Sequence, residues 1–193
     1  MLYTLTTPPT VEPVTLNEVK SHLRLESSDS IYSAETDLLT ALIKIAREQA
    51  EHHTRRAFLT QTWTVHLDGW PVKDEIYLPF PPLISVTHVK HTDNDGVQST
   101  FTDYSIDTGT PGRIVLDDGE TWPTATLRPR SPIEIQFVAG YGATAAFVPL
   151  SIKQAILLMI GHLYENRERT VMGVAINEVP FAVDSLLASY RWL

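Results

Sequence analysis

The 193-residue chain contains no cysteine, which excludes disulfide-stapled scaffolds, thiolate zinc sites and cysteine nucleophiles. No apolar run approaches the length of a membrane span. No charged segment followed by an apolar stretch opens the sequence, which predicts no export signal and makes the cytoplasm the default compartment. Basic residues are in deficit, 15 Lys and Arg against 23 Asp and Glu, for a formal net charge of −8. A chain of that balance does not as a whole seek phosphate backbones. The catalytic signatures Gly-x-Ser-x-Gly, P-loop and HExxH are missing. So are internal repeats and low-complexity segments.

Hydrophobic residues make up 43% of the chain, enough for the core of one large domain. Of the 13 prolines, all but Pro180 fall between residues 8 and 149, which predicts short strands and rigid turns there. The most informative stretch runs from Val148 to Glu168. Ile152, Ala155, Ile156, Met159, Ile160, Leu163 and Tyr164 recur at steps of three and four, the stripe of an amphipathic helix. Pro149 is placed for the first turn, with Ser151 as a candidate N-cap. Leu157, Leu158 and Gly161 fall off the stripe, leaving Lys153, Gln154, His162, Glu165 and Asn166 as its wet positions. Such a helix needs cover on more than one face, from a sheet, a second helix or another subunit.

Residues 1–14 read as a proline-punctuated extended arm. Thr15 and Glu18 form a T-x-x-E capping box opening a short helix to about Leu23, with Leu16, Val19 and Leu23 on one face. A second helix runs from about Ser33 or Thr36 to Thr54. Its apolar arc comprises Leu38, Leu39, Leu42, Ile43, Ile45, Ala46 and Ala50, opposite a polar face of Thr40, Lys44, Arg47, Glu48 and Glu51. After Phe58 the period falls to two. Trp63–Val65–Leu67, Ile76–Leu78, Ile84–His91, Val97–Phe101, Tyr104–Ile106, Arg113–Leu116 and Ile133–Phe137 read as strands, with an Asp93-Asn94-Asp95-Gly96 hairpin turn. Thr170–Pro180 reads as a mobile loop and Ala182–Tyr190 as a terminal helix anchored by Leu186 and Leu187. Strands segregated between helices predict an α+β fold. Its helical core has two long helices plus short N- and C-terminal ones, and residues 58–142 form an inserted antiparallel β subdomain. The whole of 1–193 is expected as one domain, with the long helix at 148–169 and the loop and terminal helix at 170–193.

Candidate chemistry is sparse. His52 and His53 are adjacent, so on a helix they diverge by about 100°. His88 and His91 alternate to opposite faces of a strand, and His162 with Glu165 lacks a third ligand; no metal site is expected. Asp93-x-Asp95-Gly96 resembles part of an EF-hand loop, but His91 and Thr102 stand where its first and twelfth ligands belong. Gly140-x-Gly142-x-x-Ala145 formally matches a dinucleotide fingerprint, yet Ala146-Phe147-Val148-Pro149 separates it from the helix it should open. A strand leaving through a Gly turn is the expected structure. The arginines Arg55, Arg56, Arg128, Arg130, Arg167 and Arg169 invite a phosphate reading. Cations at helix C-termini complementing the dipole, or subunit salt bridges, explain them with less.

Several phrases also occur in a telling order. They are Thr15-Leu16-x-Glu18-Val19-Lys20-x-His22-Leu23-Arg24, Thr54-Arg55-Arg56-Ala57, Gln61-Thr62-Trp63, Leu67-Asp68-Gly69-Trp70-Pro71 and Ile76-x-Leu78-Pro79-x-Pro81-Pro82. Val138-Ala139-Gly140-Tyr141-Gly142, Val148-Pro149-x-x-Ile152-Lys153-Gln154-Ala155-Ile156, Tyr164-Glu165-Asn166-Arg167-Glu168 and Val183-Asp184-Ser185-Leu186-Leu187 complete the set. Across nearly the whole chain this set resembles the tailed-phage head–tail connector family, also called adaptor or head-completion proteins.

The resemblance implies a structural virion protein rather than an enzyme, without catalytic residues or cofactors. It implies a homo-oligomeric ring, commonly of twelve subunits, bound beneath the portal protein. The ring would extend the DNA channel without binding DNA specifically, and would present a docking surface for the next neck or tail-completion protein. The implied location is the head–tail interface of a virion, with assembly in the host cytoplasm. It also implies portal contact by the C-terminal segment, so Val183, Asp184, Leu186, Leu187, Tyr190, Arg191 and Trp192 are expected there. A ring needs two different patches per subunit. Leu157, Leu158 and Gly161, with Arg55 and Arg56, are the candidates for the subunit interface. The alternative function is a DNA-binding packaging factor, with a hydrolase of unrecognised site behind it.

Overall fold

The computed structural model describes residues 1–25, 35–166 and 181–192. Its elements run β1 (Leu2–Thr7), α1 (Leu16–His22), α2 (Thr36–Thr54), β2 (Gln61–Leu67), β3 (Glu75–Tyr77), β4 (Leu83–Thr92) and β5 (Gln98–Phe101). Then come β6 (Tyr104–Asp107), β7 (Arg113–Leu116), β8 (Ile133–Ala139), a single 3-10 turn (Ala145–Phe147), α3 (Leu150–Glu165) and α4 (Phe181–Ala188). The fold is mixed α+β. It divides into two compact units, one of Met1–Thr10 with Leu59–Tyr141, the other of Val11–Phe58 with Gly142–Leu193.

The first unit carries the strands. A five-stranded sheet has the order β1-β2-β8-β4-β5, and a three-stranded sheet the order β3-β7-β6. Period-two alternation sets the larger sheet's faces. Ile133, Ile135, Phe137 and Ala139 of β8 are buried, with Glu134, Gln136 and Val138 between them only half-buried. Trp63, Val65 and Leu67 of β2 stand opposite Phe137, Ile135 and Ile133, which continues the apolar face. The other face is polar: Thr6 and Thr64 share a hydroxyl hydrogen bond of 2.7 Å, and His88 Nε2 lies 2.9 Å from Glu134 Oε1.

Aromatic rings gather in two places in this unit. Trp63 stacks on Phe80 at 4.0 Å with Tyr3 edge-on to both. Trp70 stacks on Trp122 at 4.9 Å, with Phe101 and His91 beside it. The Asp93–Gly96 segment is the hairpin turn its composition predicts. Asp93 Oδ1 accepts from the backbone N–H groups of Asp95 and Val97, and Gly96 takes φ +82°.

The N-terminal arm is the first correction. Residues Leu2–Thr7 are extended, but they pair antiparallel with β2 from Leu2 opposite His66 to Thr7 opposite Thr62. LYTLTT alternates and is rich in aromatic and β-branched residues, so it adds a strand to a sheet that would otherwise end at β2. Further along, Pro13 and Val14 are buried in the second unit.

In the second unit α1, α2 and α4 each pack against α3. The capping box forms: Thr15 N–H donates to Glu18 Oε2 at 2.6 Å, and Glu18 N–H donates to Thr15 Oγ1 at 3.2 Å. The backbone N–H of Thr15 holds the Glu18 carboxyl below the usual glutamate range, with Lys153 adding to it. Ile152, Ala155, Ile156, Met159 and Ile160 of α3 are buried as a stripe. Leu157, Leu158, Leu163 and Tyr164 are half-buried, so α3's cover on several sides comes at least partly from its own chain. Ser151 is not the N-cap; that position is Pro149. The Ser151 hydroxyl instead shares a 2.8 Å hydrogen bond with the Tyr190 hydroxyl. The helix is described to Glu165, with Asn166 as its C-cap, and residues 167–180, which include Arg167, Glu168, Arg169 and the expected Thr170–Pro180 loop, lie outside the described residues.

The second correction concerns α2. Leu38 and Ile45 of the expected apolar arc are exposed, whereas Arg47, assigned to the wet face, is buried at 5% exposure. Its Nε donates to Glu12 at 2.8 Å, its Nη1 to Glu51 at 2.7 Å and its Nη2 to Glu48 at 3.3 Å. Glu51 also accepts from the Phe58 backbone N–H at 2.8 Å. Burial alone would push the guanidinium's pKa down, but Glu51 and Glu12 outweigh it and hold it above the ordinary arginine value. The segment through Glu12 covers what periodicity marks as surface.

Arg47→Met should therefore cost about 3 kcal/mol, because it leaves two largely buried carboxylates without their cation. Glu48→Gln should stay within about 0.5 kcal/mol, since Glu48 is 68% exposed. Urea unfolding of the two variants checks both. Equal small effects would show that the Arg47 network carries no stability.

Candidate assembly surfaces

The C-terminal segment is docked, and the docking sorts its residues. On α4, Val183 and Leu187 are each 1% exposed, and with Ala50 of α2 and Met159 of α3 they line one groove. Asp184 faces outward, with Oδ1 3.6 Å from His53 Nε2. After α4 the chain is tied three times. Arg56 Nε donates to the Tyr190 carbonyl, the Tyr190 hydroxyl meets Ser151, and the Trp192 N–H donates to the Thr54 carbonyl at 2.8 Å. Of the seven residues expected to meet a portal, Val183 and Leu187 thus hold α4 in place. Asp184 and Arg191 are exposed, and Leu186, Tyr190 and Trp192 are half-buried.

The same division applies to the subunit-interface candidates. Gly161 lies under α1, where an added Cβ would meet His22 Nε2 at 3.4 Å. Arg56 is committed to Tyr190. Arg55 caps α2 in the left-handed conformation at φ +53°, its N–H donating to the Glu51 carbonyl, and is exposed. Leu157 and Leu158 keep part of their surface open. Elsewhere Arg113 bridges Glu75 and Asp107, and Arg128 donates to the Ser131 carbonyl at 2.7 Å. These arginines are spent on the chain's own oxygens. The Arg113 guanidinium, held by Glu75 and Asp107, sits above the ordinary arginine value. The Gly109 N–H and Arg113 hold Asp107 below the ordinary aspartate value.

Two grooves mark the helical unit. One, of about 490 Å³, has an apolar floor of Ala50, Met159, Val183 and Leu187, rimmed by Glu48, His52, His53 and Asp184. The other, of about 400 Å³, lies between Val11–Leu16, α2 and the 3-10 turn. That turn leads into Phe147 and Leu150, which are 61% and 80% exposed. Sequence reasoning missed this second surface, although Phe147 and Leu150 flank a proline just outside the helical stripe.

Among the described residues no group of three or more His, Asp or Glu side chains could hold a metal ion, and no helix is long and apolar enough to cross a membrane. The Gly140–Ala145 run is a close-packed turn. Gly140 takes φ +135°, and a Cβ there would meet the Leu59 carbonyl at 2.4 Å. Gly142 lies against the Phe147 ring, and α3 begins only at Leu150. No helix N-terminus opens where a pyrophosphate would sit.

No protein-family model and no curated protein sequence matches the chain. Solved structures do. A chain in the neck of an empty gene transfer agent particle, computed with C6 symmetry, has a TM-score of 0.83 at 25% identity, over 100% of this chain and 96% of that one. A chain of the native gene transfer agent virion gives 0.81 at 24% identity with the same coverage. A chain of the native particle's neck, computed with C12 symmetry, gives 0.77 at 22%, again over 100% and 96%. This likeness agrees with the connector-family resemblance read from the ordered phrases.

Because Leu187 anchors α4, Leu187→Ala should cost about 2–5 kcal/mol of unfolding free energy, while Arg191→Ala should change it by no more than about 0.5 kcal/mol. Denaturant titration separates them. A silent Leu187→Ala would show that α4 is not held by its buried face.

Proposed function

We propose that this chain is a structural neck protein of a tailed-phage-like particle, a head–tail connector rather than an enzyme. The observation that carries it is the full-length likeness of fold to a gene transfer agent neck chain at 25% identity. The ordered connector phrases support the same reading. In this reading twelve copies form a ring beneath the portal, extend the channel through which DNA passes and present a surface to the next neck or tail-completion protein. The C6 and C12 symmetries with which the neighbouring necks were computed are both compatible with a ring of twelve. The ring belongs at the head–tail interface of the virion and is built in the host cytoplasm. The net charge of −8 suits a lumen that lets DNA slide.

The C-terminal segment meets the portal through its exposed residues, Asp184 and Arg191, and the open part of Leu186, while Val183 and Leu187 keep α4 seated. Tyr190 and Trp192 fix the segment's path through their bonds to Ser151 and Thr54. Arg55 and the open edges of Leu157 and Leu158 belong to the subunit interface.

Mass photometry of the purified chain, alone and mixed with the portal protein from the same genome, tests this. A species of twelve 21.6 kDa copies, about 260 kDa, or that ring joined to portal, is expected. The Asp184→Lys/Arg191→Glu double variant should fold normally and bind portal at least about tenfold more weakly. A monomer in both samples, together with salt-dependent DNA binding, would replace the connector reading with a packaging factor.

A further inference from the structure

The larger sheet ends in two edges unlike the edges of its smaller neighbour. β3 and β6, which bound the three-stranded sheet, carry Glu75 and Asp107, and both carboxylates are engaged by Arg113. Charges on edge strands are the usual protection against pairing with another chain. β1 and β5, which bound the five-stranded sheet, read LYTLTT and QSTF and carry no charge at all. All six residues of β1 are exposed, as are Gln98, Ser99 and Thr100 of β5. An uncharged, exposed edge presents a row of backbone N–H and C=O groups as a template for a further strand.

Direction and symmetry select the occupant. Each neighbouring pair in the order β1-β2-β8-β4-β5 is antiparallel, so the two edges run the same way. One row crosses the whole polar face: Leu2, His66, Glu134, Lys90, Thr100. Pairing β1 with a second β1 is isologous and closes a dimer. A ring requires two different patches that meet head to tail, and two dissimilar edges of one sheet are such a pair.

We propose that β1 of one copy pairs with β5 of the next, in parallel, so that the five-stranded sheets join edge to edge around the ring. This rests on the connector reading and adds the bonding that closes it. Strands about 4.8 Å apart give each copy roughly 24 Å of circumference, so twelve copies trace a circle of about 45 Å radius or more. Tilt of the strands widens it.

The absence of cysteine supplies the test, since any engineered pair is the only thiol chemistry present. Thr4→Cys with Thr100→Cys, and Leu2→Cys with Thr100→Cys, place thiols on the same face of the two edges at registers two residues apart. Oxidation of the assembled ring should give a ladder of covalent oligomers for at least one pair, and none for any of the three single variants. Backbone amides of residues 2–7 and 98–101 should exchange at least tenfold more slowly in the ring than in the monomer. Leu2→Lys/Thr4→Lys, at two exposed positions, should melt as the parent does, fail to form rings and terminate parent assembly when mixed in. A ring that forms with no cross-link and no added protection at either edge overturns the strand pairing and leaves the connector reading standing. Protection of β1 alone, appearing only with portal present, assigns that edge to the portal and overturns self-pairing. Failure to form a ring under any condition overturns both.

Discussion

The buried guanidinium of Arg47 is the constraint on which the helical unit depends. It sits on α2 at a position periodicity assigns to solvent, and it is satisfied only because Glu12, Glu51 and Glu48 surround it. One charge thereby fixes three features. The segment through Glu12 is held over α2, the last turn of α2 is tied to that segment, and Glu51 is turned to accept the Phe58 N–H. A cation in this position tolerates no partial solution, because removing a partner strands charge in low dielectric. The network therefore specifies how the chain enters and leaves α2, where apolar packing alone would leave latitude.

The end of the chain is anchored by different means to the same pair of helices. Val183 and Leu187 supply apolar burial. Arg56, Ser151 and Thr54 supply hydrogen bonds to Tyr190 and Trp192. This divides a contiguous stretch by face: the inner side of α4 stabilises the subunit and the outer side is available to a partner. Under the proposed portal contact, a segment seated in this way would bind without the ordering cost that a free tail would meet.

Much of this was legible in the residues. The three-and-four spacing of α2 and α3, the Thr15–Glu18 box and the alternation of Ile133, Ile135 and Phe137 report local physics, so they locate elements within a few residues. The Asp93–Gly96 turn is read the same way. What could not be read depends on distant partners. Arg47 looks like any surface arginine until Glu12 arrives 35 residues from its own position. Leu2–Thr7 looks like an arm until β2 offers an edge. Ser151 has the composition of a cap, and its partner Tyr190 lies 39 residues away. Gly161 reads as a subunit-interface position until His22, at the end of α1, and Leu23, just after it, come over it. The connector reading came from ordered phrases rather than from any one site, as expected for a protein whose function lies in surfaces.

An assembly protein is defined by where it sits, so the most direct measurement is a cryo-EM reconstruction of the neck of particles made by the genome that encodes this chain. The account predicts a ring of density beneath the portal into which this fold docks, with α4 toward the portal. A neck built wholly of other chains, with this protein absent from purified particles, would contradict it.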